Sequence, residues 1–530
     1  MKMTNVRKVL RAVMVVFVLI VTGWSATAIS AETVLKVVPI GNLSGTDPIW
    51  TTAMVTRNHG YLVFDTLFAL DENFNPKPQM VESYTISSDK LKYTFTLRPG
   101  LKWHDGERVL SKDCVASLKR WGARDGMGQM LMTFTKSIDV VNDRTFSLTL
   151  KEPVGFVLQA LGKLESIVPF MMPERLAKTD PFKQIPEVIG SGPFKFVKTE
   201  WVPGSKVVYV KNEDYIPRSE PASLAAGGKV VKVDRVEWHY MSDPAIAIAA
   251  LNAGEVDLLD YPSPDLLRML IGNPDVVVEQ TDPLGNQSVL RLNWLHPPFN
   301  NVKARQAFQW VVDQRDFMTA AYGDQNWIKC PSFYGCGTPY ETSAGSEALM
   351  NVNKEKATQL LRESGYKGEP IVILDPTDRA HLHALSLVAA QKLREIGAKV
   401  DVQAVDWGTL VERRASQKLP AEGGWNIFPT TTLVIGLMEP LSSVFIATNC
   451  DKAWYGWPCD EAIEKMRMEW VRSDDPVKKK KIAEEIQKRA HELVVYTPLG
   501  QLPGMAAYRK NLKGLIKSPV PFYWNVSKEK

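Results

Sequence analysis

Apolar and polar residues alternate along residues 93–97, where threonines separate Tyr93, Phe95 and Leu97. A period of two is that of a half-buried strand. Arg98-Pro99-Gly100 breaks the pattern, Leu101 and Trp103 resume it, and Asp105-Gly106 breaks it again. Glycine supplies positive φ at such points and aspartate tolerates it. From Ser111, a residue able to cap a helix, Val115, Leu118 and Trp121 recur at helical spacing. The stretch predicts strand, turn, short strand, turn, helix. It also places His104, Asp105 and Glu107 within four positions. A metal needs ligands converging from several elements, and Lys102, Arg108 and Lys112 surround this one turn, so the reading is architecture.

The same switching of period continues along the chain. Residues 190–215 alternate after a Gly-Ser-Gly-Pro turn. Residues 234–270 predict a strand, a helix capped by Ser242 or Asp243 with Pro244 in its first turn, a glycine and a second strand. A helix and a strand follow from Asn353 to Asp375. A further helix, from about Leu382 to Ile396, stops at Gly397 and leads into a strand through Val400. Strand and helix patterns alternating in this way predict α/β lobes with mixed sheets. The basic stretch 474–494 carries Ile482, Ile486, Ala490 and Leu493 at helical spacing behind Pro476. Its lysines are therefore expected on the solvated face of an amphipathic helix, not in a nucleic-acid patch.

The first residues read differently. Lys2, Arg7, Lys8 and Arg11 precede the run AVMVVFVLIV, and small residues follow at Ala26-Thr27-Ala28 and Ser30-Ala31. A basic region, a short apolar region and an A-x-A-like site make a secretory signal peptide over 1–31, cleaved after Ala28 or Ala31. The apolar run is shorter than the roughly 20 residues of a membrane span. No cysteine lies near the cleavage site to carry a lipid, so a periplasmic location is expected. Four of the basic residues behind the net charge of +5 belong to this leader. The remainder is close to neutral and gives no electrostatic case for nucleic acid or an anionic membrane.

Export bears on the five cysteines. Cys330 and Cys336, and Cys450 and Cys459, bracket short Gly-, Pro- and aromatic-rich loops and are expected as disulfides. Cys114 falls in an apolar helical pattern and is expected as a buried thiol. No G-x-S-x-G, H-E-x-x-H or G-x-x-x-x-G-K-[ST] occurs in the sequence. His381 and His383 form the one close histidine pair, and on a helix they would point roughly 200° apart. Trp407, after Asp406 at a strand end, and Trp425, after a Pro/Gly-rich break, are candidate walls of a cleft, since ligands gather at strand ends in α/β lobes.

The stretch TFTLRPGLKWHDGERVLSKDCV resembles the signature of the family 5 solute-binding proteins of ABC transporters, with Leu110 where threonine is usual and Cys114 where valine is usual. GSGPFKF, ALNAGEVDLLD, LRLNWLHPPFNNVKARQAFQWVVDQRDFM and LREIGAKVDVQAVDWGTLVERR resemble later family motifs, in the same order. The resemblance implies a two-lobed periplasmic-binding-protein fold (type II, the large form) with a hinge. Lobe I would take residues 32–289, lobe II 290–497, and 498–530 would return to lobe I, with crossovers near 289–294 and 496–504. It implies a peptide-like or other small organic solute and a membrane permease as partners. A monomer is expected, with no cofactor, metal or catalysis. The ligand-site residues carried over are Trp407, Trp425, Asp378 and Arg379, with Thr430, Asn293 and Asp47. The family's ammonium-binding aspartate is expected shortly after Gly424-Trp425, yet no acid follows until Glu439. An ordinary dipeptide with a free amino end is therefore less expected. The alternatives are a nickel- or metal-chelate binder of the same family and a secreted hydrolase.

Overall fold

Residues 32–324 and 326–529 are described in the structure, a computed structural model, and the leader expected over 1–31 lies outside them. Among the described residues, one large mixed sheet takes ten strands. In chain order these are β1 (Val34–Val38), β2 (Phe194–Phe196), β3 (Lys206–Lys211), β4 (Arg235–His239), β5 (Leu258–Leu259), β6 (Val276–Leu292), β7 (Ile371–Pro376), β8 (Val400–Val405), β9 (Ile427–Leu433) and β10 (Thr497–Arg509). Across the sheet the order is β2-β3-β4-β1-β5-β10-β6-β9-β7-β8. β1 runs parallel to β4 and β5, and β7 runs parallel to β8 and β9, whereas β6 and β10 pair antiparallel at the centre.

β6 and β10 are the long strands, and they join the two lobes. On one side lie β1–β5, the N-terminal lobe; on the other lie β7–β9, the C-terminal lobe, formed by the chain between β6 and β10. Their ladder loses register between Gln280 and Asp282, between Asp282 and Asn286, and between Ser288 and Val289. At Gly285, φ is +57° and a Cβ would sit 1.9 Å from the Leu502 carbonyl oxygen, so only glycine fits where the two strands close up. The crossover segments read from the sequence, 289–294 and 496–504, fall at the end of β6 and the start of β10.

The patterned stretch 93–114 begins on a strand, Lys92–Leu97, of a separate four-stranded antiparallel sheet in the N-terminal lobe. Gly100 and Gly106 take φ of +78° and +92°, and Lys102 bridges Arg108 between the two turns. The His104 N–H donates to Gly190 and its Nε2 lies 3.1 Å from the Gly192 carbonyl, while Asp105 pairs with Arg175 at 2.8 Å. Burial holds His104 down at about 4, so it is a neutral bracket between two turns. The helix α1 (Ser111–Arg124) follows with Val115, Leu118 and Trp121 buried, and the Cys114 thiol is buried and free. Ser111 does not cap it. Leu110 is the N-cap residue, and Asp113 accepts from the Leu110 N–H at 2.8 Å, while the Ser111 hydroxyl bonds the Asn142 carbonyl. A nearby strand carbonyl outcompeted the local cap.

Three more helices matter for the site: α2 (Ala380–Glu395), α3 (Glu461–Arg472) and α4 (Pro476–Leu493). In α4 Ile482, Ile486 and Ala490 are buried as their spacing predicts, and Lys478, Lys480 and Lys481 are exposed. Lys479 departs from the expectation: it is 4% exposed, turned beneath the N-terminal lobe. One hydrophobic cluster joins Phe68, Leu131 and Phe156 of the N-terminal lobe to Val434, Ile435, Trp470 and Ile486, and a second, around Leu290, Phe308, Leu385 and Ile427, fills the C-terminal lobe. Cys330–Cys336 and Cys450–Cys459 are disulfides.

Candidate functional site

A cavity of about 430 Å³ lies where the two lobes meet, within the range of about 300–1,000 Å³ typical of small-molecule sites. The N-terminal lobe supplies the turn 73–76, Met127 and the segment from Gly155 to Ser166; the chain between β6 and β10 supplies Tyr340, the segment 435–442 after β9 and the α3–α4 connection. The lobes touch closely along its rim. The Gly155 N–H donates to the Val471 carbonyl at 3.0 Å, and a Cβ on Gly155 would fall 1.8 Å from the Ser473 carbonyl oxygen. Glu152 pairs with Arg472 at 3.2 Å, and Lys90 pairs with Asp474. On the floor a Cβ on Gly436 would stand 3.8 Å from the Glu165 side chain, and Glu165 pairs with the buried Arg57.

Glu439 gives the cavity its electrostatic character. It follows β9 by six residues, is 7% exposed, and no hydrogen-bond donor or ion-pair partner among the described residues reaches its carboxylate. Burial pushes its proton affinity up to about 7, with Lys479 and Lys163 pulling the other way. Both lysines are committed elsewhere. Lys479 Nζ donates to the Gly155 carbonyl at 2.6 Å and stands 4.0 Å from the Trp470 ring centroid, and burial pulls it down to about 8. Lys163 Nζ binds Asp125 at 2.5 Å. A buried carboxylate without a donor is costly in a closed protein interior.

The seven residues carried over from the sequence lie elsewhere; none lines this cavity. Asp47 is fully buried in the N-terminal lobe, held by Arg120 at 2.8 Å and by the N–H groups of Ile49 and Ile185. Trp425 is fully buried in the C-terminal lobe against Phe428 and Trp457, and Asn293 donates to its carbonyl at 2.9 Å. Thr430 is 5% exposed within β9. Asp378 and Arg379 are exposed beyond the end of β7, where Asp378 accepts from the Trp407 N–H at 2.8 Å and Trp407 is half-buried beyond β8. The structure thus brings together two pairs, Asn293 with Trp425 and Asp378 with Trp407. His381 and His383 share α2, with His383 Nδ1 2.8 Å from buried Asp375. Among the described residues no group of three His, Cys, Asp or Glu side chains converges as a metal would require.

Glu439 was missed because the acid was sought by counting from Trp425, a residue of the lobe core. The sequence signal was present, an acid beside Pro440 in an otherwise apolar run, but only the path of the chain after β9 carries it to the cavity.

Residues 75–432 match the family described as bacterial extracellular solute-binding proteins, family 5 Middle. A "probable peptide ABC transporter periplasmic-binding protein" of Sinorhizobium fredii is 41% identical over 507 residues, covering 95% of this chain and 94% of the relative. Two solved structures share the fold. The ABC transporter substrate-binding protein CtaP of Listeria monocytogenes has a TM-score of 0.79 at 21% identity, over 94% of this chain and all of the other. The periplasmic binding protein DppA of Helicobacter pylori, in complex with peptide STSA, has 0.75 at 21% identity, over 94% and 99%. With its sheet order, two-lobed cavity and this match over most of its length, the chain belongs to family 5 of the bacterial extracellular solute-binding proteins.

Proposed function

We propose that this protein is the solute-receiving component of an ABC importer, and that it encloses a peptide or peptide-like solute in the cavity between its lobes before presenting it to the membrane permease. The observation that carries this is the origin of the cavity walls. They come from both sides of the β6–β10 connection, so moving the lobes apart opens the site and bringing them together seals it. The register breaks between Gln280 and Val289 supply the weak points of the ladder at which such a hinge can bend. Contacts made only in the closed form bias the open–closed equilibrium, and a micromolar solute provides about −8 kcal/mol in all. The Sinorhizobium relative, a probable peptide ABC transporter periplasmic-binding protein, and the Helicobacter protein, in complex with a peptide, support a peptide-like solute.

In this reading the leader is removed after Ala28 or Ala31, the mature chain works as a periplasmic monomer, and the solute leaves chemically unchanged. The lobes divide at 289–290 and 497–498. Asp378, Arg379 and Trp407 lie at the strand ends of the C-terminal lobe, outside the cavity, while Trp425, Asn293, Thr430 and Asp47 hold the lobe frameworks. Native mass spectrometry of freshly purified mature protein is expected to reveal a non-covalent small organic solute. Small-angle scattering is then expected to contract when that solute is returned to stripped protein. Unchanged scattering, or a covalently altered product, would end the proposal.

A further inference from the structure

We infer that Arg291 is a positioning residue of the hinge and that the disulfide-closed loop 450–459 holds it in place, so that reducing Cys450–Cys459 loosens the two crossover segments. This goes beyond the solute-binding reading: it rests on the hinge between the lobes and not on what the cavity receives.

Arg291 lies on β6, two residues beyond the last register break of the β6–β10 ladder. Its side chain is fully buried, and among the described residues no carboxylate pairs with it. Main-chain carbonyls take the place of a counter-ion. Nε donates to Tyr455 at 2.5 Å and one terminal nitrogen donates to Trp454 at 3.1 Å, both in the disulfide loop. The other terminal nitrogen donates to Phe445 at 2.8 Å and to Val495 at 3.3 Å. Val495 immediately precedes the crossover 496–504, so one guanidinium ties that crossover, the end of β6 and the loop together. The Trp294 N–H adds a bond to the Gly456 carbonyl at 2.9 Å. Burial pulls Arg291 down to about 9, which leaves it charged at neutral pH. A buried charge is costly once its partners leave, and carbonyl dipoles serve only while they point at it.

The shape of the loop aims those carbonyls. Cys450, Gly456 and Trp457 take φ of +60°, +101° and +49°, conformations that a free chain seldom holds. A Cβ on Gly456 would stand 3.0 Å from Arg291 Nε. The Cys450–Cys459 bond closes the loop at its base, beside the bridge between Asn449 and Cys459. It is also the reachable disulfide: Cys459 is exposed and Cys450 half-buried, whereas Cys330 of the other pair is fully buried. A dithiol reagent supplies the two electrons and two protons that turn Cys450–Cys459 into two thiols, and itself closes to a cyclic disulfide. The released loop regains conformational freedom, and the carbonyls of Trp454 and Tyr455 leave Arg291.

The test follows amide hydrogen exchange by mass spectrometry in the full mature chain, with and without dithiothreitol, and counts thiols by alkylation of the folded protein. The Cys450→Ser/Cys459→Ser double variant and Arg291→Met accompany the wild type. Dithiothreitol is expected to free Cys450 and Cys459 while Cys330–Cys336 stays closed. Exchange is expected to rise at least about tenfold in peptides covering 289–294 and 495–500, the order of one lost hydrogen bond. Peptides from β4 and α2 are expected to keep their rates, and the double variant to show the same pattern without reductant. In Arg291→Met the carbonyls hold no charge, so opening the disulfide is expected to leave the crossovers as they were. A Cys450–Cys459 bond that resists dithiothreitol in the folded protein would overturn the inference, as would crossover exchange that ignores its opening or a rise that is equal throughout both lobes. A response of full size in Arg291→Met would do the same. Each of these results leaves the solute-binding reading standing. Should Arg291→Met not fold, the wild type and the double variant decide between the crossovers and the rest of the lobes.

Discussion

Replacing Glu439 by glutamine should stabilise the unliganded protein in a pH-dependent way, and the structure sets the size. Burial raises the Glu439 carboxyl from 4.5 to about 7, against the opposing pull of Lys479 and Lys163, and its charge acts on Tyr340 as well. The folded form therefore binds a proton that the unfolded form has already released between these values, and stability falls as pH rises across the window. The contribution is complete below about pH 4.5 and gone once pH has passed through about 7. Two and a half units at about 1.4 kcal/mol each give a loss of about 3–4 kcal/mol. Wild type alone does not isolate it. The buried His59 and His491 are held down at about 3 and His104 at about 4, so acidification below their ordinary 6.5 opposes folding. Asp260, pushed by burial to about 7, adds a second term of the same sign as Glu439. The difference between wild type and Glu439→Gln cancels all of these. Urea denaturation at pH 5, 6, 7 and 8 is expected to show the variant gaining on the wild type progressively, by up to about 3–4 kcal/mol at pH 8. A difference independent of pH would refute the placement of a donorless carboxyl in the cavity wall.

Three further outcomes follow from the packing. Gly155→Ala places a methyl against the Ser473 carbonyl and strains the Gly155–Val471 hydrogen bond, so the lobes close imperfectly. Loss of about 2 kcal/mol from the closed form alone, the order of one to two hydrogen bonds, is expected as a roughly 30-fold weaker solute affinity, with solute-induced contraction in scattering reduced. Asp47→Ala leaves the Arg120 guanidinium buried without its carboxylate and is expected to cost about 3–5 kcal/mol in denaturation. Trp425→Ala should cost about 3–5 kcal/mol from the C-terminal lobe core, whereas Trp407→Ala, at a half-buried position, should cost much less in denaturation.

Much of the fold was legible because it is local. The alternation of Tyr93, Phe95 and Leu97, the left-handed glycines at 100 and 106, and the cap of Asp243 on Pro244–Ala253 depend on neighbours a few residues away. The order of the motifs along the chain carries the family. The candidate site was less legible. Trp425 carries an apolar surface that suits a cleft or a core equally, and its burial against Phe428 and Trp457 is a matter of where β9 lies in the sheet. Lys479 has the sequence surroundings of Lys478 and Lys480, yet α4 turns it under Gly155, a residue 324 positions earlier.

The amino-acid sequence by itself determined the elements, the two disulfide-closed loops and the family, because periodicity, turn chemistry and short-range spacing act through nearest neighbours. Only the tertiary structure decided which acid faces the solute cavity and which lysines are already engaged. A carboxylate's role depends on the donors that surround it in space, and here those donors come from chain segments hundreds of residues apart.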